Sequence, residues 1–195
     1  MEIERIVEEY TSDCTTREQK LVAIFEKVRD IPYGTLGSAS RDPLEVYRNN
    51  RGTCSGKHFL LRDLLLSLDI KVKDMVCFHY YSQMPRSIDY PPQLMQLLED
   101  NKGVPDYHNY LQVYNGDWLT VDATFDYPLK DYFVVNEWDG KTDTRLSVKP
   151  VEMWEVDDAE NFKMYLLNKL PPDVQKGRKR FLQKFSEWLE VLRRQ

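Results

Sequence analysis

Arg51-Gly52-Thr53-Cys54-Ser55-Gly56-Lys57-His58-Phe59-Leu60-Leu61, continued by Leu64, Leu65, Leu66 and Leu68, reads as a cysteine opening a buried helix. Gly52 and Thr53 suit a turn and a cap, and the leucines recur at three- and four-residue spacing, so Cys54 belongs to the first helical turn. Unpaired amide N–H groups and the positive end of the helix dipole favour an anion there, which lowers a thiol's pKa. A small buried cysteine packed under the leucines would have the same local sequence, so the remaining chain must decide.

Upstream, Ile3 to Tyr10 carries a short helical pattern. Thr15 with Glu18 forms a capping box ahead of Leu21, Val22, Ile24, Phe25 and Val28. That helix ends before Ile31-Pro32-Tyr33-Gly34, after which Gly34 opens a polar loop. Asp42-Pro43 restarts a helix of about two turns through Leu44, Val46 and Tyr47. Downstream, Ile70 to Phe78 alternates as a strand, with Cys77 in the core. Tyr80 to Tyr107 is a proline- and tyrosine-rich excursion with a short helical pattern at Leu94, Leu97 and Leu98, and it reads as a covering loop.

A hairpin follows, and sorting its apolar residues sets its register. A two-residue Asn115-Gly116 turn would scatter Leu111, Val113, Leu119 and Val121 over both faces. A three-residue loop of Tyr114, Asn115 and Gly116 pairs Val113 with Asp117 and gathers those four on one face. The same register sets His108 directly opposite Asp122, close enough for an imidazole to meet a carboxylate. Further strand-like pieces lie at Tyr132 to Val135 and Leu146 to Val151, and two amphipathic helices span Asp157 to Leu170 and Asp173 to Arg194. Residues 1–155 read as a core domain and residues 156–195 as a helical extension packed on it.

With 195 residues and a net charge of -5, basic residues mixed among acidic ones, the chain has no nucleic-acid footprint. No apolar run approaches the roughly 20 residues that span a bilayer, and Met1-Glu2-Ile3-Glu4-Arg5 does not resemble a signal peptide. The expectation is a cytoplasmic protein without membrane association. Three irregularly spaced cysteines form no disulfide framework.

A nucleophile, a base and an orienter thus occur in chain order as Cys54, His108 and Asp122. Gly52-Thr53-Cys54 at a helix start, His108-Asn109-Tyr110-Leu111-Gln112-Val113, and Trp118-Leu119-Thr120-Val121-Asp122-Ala123-Thr124 together resemble the transglutaminase-like superfamily of papain-fold cysteine enzymes, over roughly residues 20 to 125. The resemblance implies an α+β fold with helices on an antiparallel sheet and catalytic residues Cys54, His108 and Asp122. It further implies acyl transfer from a peptide or protein amide through a thioester, with no cofactor and no metal. An oxyanion hole from the Cys54 amide plus one donor is implied as well. Papain-like enzymes place a glutamine shortly before the cysteine; here Tyr47, Arg48, Asn49 and Asn50 are the nearby candidates.

Two rival readings are a zinc site from Cys54, His58, Cys77 and His79, and a binding module that keeps the fold without turnover. Arylamine acetyltransferases share the residue order but are only partly echoed by Arg51-Gly52-Thr53-Cys54. His58 reads as a packed or surface histidine and His79 as a reserve base.

Overall fold

The computed structural model describes residues 2–35 and 41–195, so the polar loop expected after Gly34 falls partly outside the described residues. The elements are α1 (Glu2–Tyr10), α2 (Arg17–Arg29), α3 (Pro43–Asn49), α4 (Cys54–Leu66), β1 (Val72–Tyr80), α5 (Pro92–Asp100), β2 (Pro105–Tyr114), β3 (Trp118–Val121), β4 (Glu152–Val156), α6 (Ala159–Lys169) and α7 (Pro172–Leu192). The strands form one sheet in the order β3-β2-β1-β4, with every neighbouring pair antiparallel. The fold is α+β. Among the described residues no helix is long and apolar enough to cross a membrane.

Local chemistry explains most boundaries. Asp42 caps α3 by accepting from the Glu45 amide, with Pro43 in the first turn. The box at the start of α2 is one residue later than the Thr15–Glu18 expectation: Thr16 accepts from the Gln19 amide, and Gln19 accepts from the Thr16 amide. Both threonines have a suitable residue three positions on, and Gln19 prevails because its side-chain oxygen also accepts from the Thr15 amide and hydroxyl.

The hairpin also departs from its expected register. Leu111 pairs with Val121, Val113 with Leu119 and Tyr114 with Trp118, so the loop is Asn115 to Asp117. Sorting hydrophobic residues determines which face each side chain takes, because side chains alternate with period two, but a two-residue slide preserves that sorting. Leu111, Val113, Leu119 and Val121 are accordingly buried together. Tyr132 to Val135 contributes one bridge, Phe133 to Arg86, rather than a strand. Leu146 to Val151 is not a strand either: the Ser147 amide donates to Asp122, the Arg145 amide and carbonyl bond the Asn136 side chain, and the ladder begins only after Pro150.

Two apolar clusters hold the layers together. One gathers α1, α2 and the leucines of α4 against Leu111, Val113, Leu119 and Val121. The other joins Tyr33, Cys54, Met75 and Cys77 to the Tyr81–Tyr90 segment, α5, and Phe181, Phe185 and Leu189 of α7. Cys54 therefore begins a helix rooted in one cluster while itself belonging to the other. The Tyr80–Tyr107 excursion packs under α7, with the Tyr81 ring 4.8 Å from that of Phe181.

Candidate active site

Three local devices position Cys54. Thr53 caps α4, its hydroxyl accepting from the Gly56 amide. Gly52 is required by close approach, since a Cβ there would lie 2.9 Å from Val46 Cγ1 and 3.0 Å from Lys57 Cγ. The Gly52 amide donates to Pro32 O and its carbonyl accepts from the Gly34 amide, strapping the turn to the Pro32–Gly34 segment. One turn into the helix, the fully buried Lys57 donates to the carbonyls of Arg29 (2.8 Å) and Thr124 (2.6 Å). The start of α4 is thereby tied to the end of α2 and to the chain just beyond β3.

His108 Nε2 donates to Asp122 Oδ2 at 2.9 Å, which leaves Nδ1 for the cysteine. The contact is diagonal rather than directly opposite: Leu111 pairs with Val121, so Asp122, just past the end of β3, falls beside Tyr110, and its side chain reaches two residues along to His108. The Asp122 carboxylate is held from several sides. Oδ2 also accepts from the Ser147 amide (2.8 Å), Oδ1 accepts from the Thr124 amide (3.0 Å), and its own amide donates to Thr144 Oγ1.

His58 is packed. The Ala123 amide donates to its Nε2 at 2.9 Å, so the proton sits on Nδ1, which donates to the Cys54 carbonyl at 2.7 Å. Both ring nitrogens are thus committed to holding α4 against the Asp122–Ala123 corner.

Burial disfavours charge at all of these groups, and specific partners decide which groups keep it. For Cys54, burial raises the pKa, but Lys163 and His108 outweigh it and bring the thiol down to about 6. For His108, burial opposes protonation, yet the Asp122 charge and hydrogen bond lift it to about 9. Asp122 itself is buried, but His108 and the Ser147 amide hold it well below the usual carboxylate range. Where such partners are weaker, burial prevails: His58 falls to about 4 and His79 to about 3, while Cys77 rises to about 12. The arrangement favours a thiolate–imidazolium pair beside an ionised carboxylate.

Other residues at the site were not anticipated. Lys163 of α6 places Nζ 3.5 Å from Cys54 Sγ, 3.0 Å from Ser55 Oγ and 3.1 Å from Asn109 Oδ1, and Ser55 donates to that same Asn109 oxygen at 2.7 Å. Its sequence signal was slight but present: Ala159, Lys163 and Leu167 are the buried positions of α6, so a cation sits on the apolar stripe. Arg178 of α7 pairs with Asp106 at 2.8 Å, and the Tyr33 and Tyr81 hydroxyls lie 3.2 Å apart.

The residues considered as oxyanion donors point elsewhere. Tyr47 donates to Glu9 and Arg48 pairs with Glu2, both on the acidic α1, while Arg48 and the Asn49 side chain also bond Glu45 within α3. Asn50 is the left-handed residue that closes α3. Cys54, His58, Cys77 and His79 do not converge as a zinc site: among the described residues no three His, Cys, Asp or Glu side chains are arranged to hold a metal. Cys54 is 8% and His108 2% exposed, so the site is closed over. A cavity of about 550 Å³ lined by Tyr80, Ser82, Arg86, Met95 and Lys102 touches neither Cys54, His108 nor Asp122.

The model of the transglutaminase-like superfamily core matches residues 4–123, and the chain belongs to that superfamily. The matched stretch contains Cys54, His108 and Asp122 and leaves β4, α6 and α7 beyond it. Among solved structures the chain is similar to one from Cytophaga hutchinsonii provisionally described as a cysteine protease, with 16% identity and a TM-score of 0.45 over 80% of this chain. The match spans 50% of that longer chain. A search of curated proteins finds no match.

Proposed function

We propose that this protein catalyses amide acyl transfer with Cys54 as nucleophile, His108 as general acid and base, and Asp122 as the residue that orients and charges His108. The observation that carries this reading is the continuous line from a thiol at a helix start, through His108, to a carboxylate fixed by two backbone amides.

In the first step the Cys54 thiolate attacks the carbonyl carbon of a carboxamide or peptide, and the carbonyl electron pair moves onto oxygen. Collapse of that intermediate breaks the C–N bond, and the leaving amine takes a proton from His108. Water, or a second amine, then gives a proton to His108 as it attacks the thioester and releases the acyl group with Cys54 regenerated. Asp122 fixes the Nε2–H tautomer of His108 and stabilises the imidazolium. In this reading residues 1–155 carry the transfer chemistry and residues 156–195 close over it, and the substrate is a peptide or protein amide.

The test follows ammonia or amine release from a panel of carboxamide peptides, with and without an added amine, alongside intact mass. Product with water alone supports hydrolysis, product only with amine supports crosslinking, and Cys54→Ala abolishes both. The low exposure of Cys54 favours a second reading, a binding module that has kept the fold. That reading replaces the first if no donor is processed and Cys54 forms no covalent adduct.

A further inference from the structure

Buried charges require partners, and around Cys54 the pairing can be followed group by group. His108 has Asp122, and Arg178 has Asp106. Lys163, 4% exposed, has no carboxylate within ion-pair distance among the described residues; its neighbours are Ser55 Oγ, Asn109 Oδ1 and Cys54 Sγ. Because Ser55 spends its proton on Asn109 Oδ1, both oxygens can only accept from Lys163. The third ammonium proton is left for sulfur. The anion available to this cation is the Cys54 thiolate.

We propose that Lys163 is a further catalytic residue: its ammonium is the counter-ion of the Cys54 thiolate at rest and of the substrate's carbonyl oxygen once acyl transfer begins. The inference rests on the thioester reading above. When sulfur bonds to the carbonyl carbon, the negative charge leaves sulfur and appears on an oxygen attached to that same carbon, so a cation 3.5 Å from sulfur serves both. This supplies the side-chain stabiliser that no residue before Cys54 provides. A second observation points to a missing substrate oxygen. Asn109, 1% exposed, turns its oxygen to Ser55 and Lys163, and its Nδ2 is a buried donor without an acceptor. A bound acyl oxygen is the acceptor this cluster lacks.

The experiment compares wild type, Lys163→Gln, Lys163→Met and Lys163→Arg by thiolate absorbance against pH and by turnover of an amide donor that the wild type accepts. Other groups facing the pair are His108 and Asp106 on β2, His79 and Cys77 on β1, His58 on α4, Arg178 on α7, and the tyrosines Tyr33 and Tyr81. All remain in every variant, so a difference between variants belongs to position 163. The neutral variants should move the thiolate midpoint up by at least about one pH unit and lower kcat roughly 10²–10³-fold, the usual loss for one oxyanion donor. Lys163→Arg should keep the midpoint within a few tenths. A merely structural lysine would change melting temperature without moving the midpoint.

A wild-type measurement stands whether or not the variants fold. Near pH 10, where His108, raised only to about 9, is mostly neutral and cannot account for it, iodoacetate should be preferred over iodoacetamide at Cys54 by at least about fivefold relative to a free cysteine peptide, since the Lys163 cation at this distance attracts the anionic reagent. Equal preference, or a neutral variant with wild-type midpoint and turnover, overturns the role of Lys163. If the wild type itself turns over no donor and its thiol titrates like a free cysteine, the acyl-transfer reading falls instead.

Discussion

Replacing Asp122 with asparagine tests the centre of the site with a change of one atom. Oδ2 accepts from His108 Nε2 and the Ser147 amide, and Oδ1 accepts from the Thr124 amide. An NH2 group in either position faces at least one N–H, so one buried donor loses its acceptor at a cost of about 1–3 kcal/mol. Charge adds a second, pH-dependent effect. The folded pKa of His108 is raised from 6.5 to about 9 chiefly by Asp122. At about 1.4 kcal/mol per pH unit this contributes roughly 3 kcal/mol to stability, fully present below the unfolded pKa and lost as pH rises through about 9. The coupled lowering of Asp122 is the same interaction seen from the other partner and is not added.

In Asp122→Asn the imidazole should fall toward the behaviour of His79 (about 3), a buried histidine of this chain that lacks such a carboxylate bond. Urea unfolding of both proteins near pH 6 and pH 10 gives the answer. The variant's deficit should be about 1–3 kcal/mol near pH 10 and larger by roughly 3 kcal/mol near pH 6. Turnover should fall on the order of 10⁴-fold, as for loss of the orienting carboxylate in a serine-protease triad. A deficit that does not change with pH, or turnover within about tenfold of wild type, refutes the argument.

Alkylation of Cys54 should follow a pH midpoint of about 6 against about 8.5 for a free thiol, while Cys77 stays inert, measured by peptide mapping across pH. The absolute rate is a poor measure, because low thiolate basicity and 8% exposure offset the gain in ionised fraction; a midpoint near 8 or above would contradict the charge assignment. Lys57→Met strands the carbonyls of Arg29 and Thr124 and should cost about 2–5 kcal/mol by urea unfolding, with a loss below about 1 refuting the tie. Because burial lowers Lys57 to about 7, the folded state favours its neutral form, and the deficit should grow as pH rises from about 7 toward 10. Arg193→Ala leaves Asp126 without the cation that clasps it and removes a bond to the Tyr33 carbonyl; about 3–5 kcal/mol should be lost, seen as a lower melting temperature.

What could be read in advance follows from how local each signal is. The helix at Cys54 was legible because a cap, a glycine and an apolar periodicity coincide within a few residues. That His108 and Asp122 share a face was legible because burial sorts alternating side chains, yet the two-residue slide was not, since both registers bury the same four residues. β4 was missed because a short edge strand reading Glu-Met-Trp-Glu-Val, with Met153 exposed, lacks a buried face to mark it. Lys163 and Arg178 come from helices that look like ordinary amphipathic cover, and only their contacts across the fold reveal what their charges face. His58 reads only as a packed or surface histidine, because its bond to Ala123 joins residues 65 apart, which no local pattern announces.

Lys163 follows Cys54 by 109 positions, and that separation also sets an order of events during synthesis. A ribosome adding roughly 5–20 residues per second delivers the lysine about 5–20 s after the cysteine. His108 is made partway through that interval, so the two partners that bring the thiol down, the imidazole and the ammonium, arrive one after the other, and the thiol lacks the Lys163 cation until α6 docks. The full set of charges around Cys54 is therefore complete only once α6 has been made and docked.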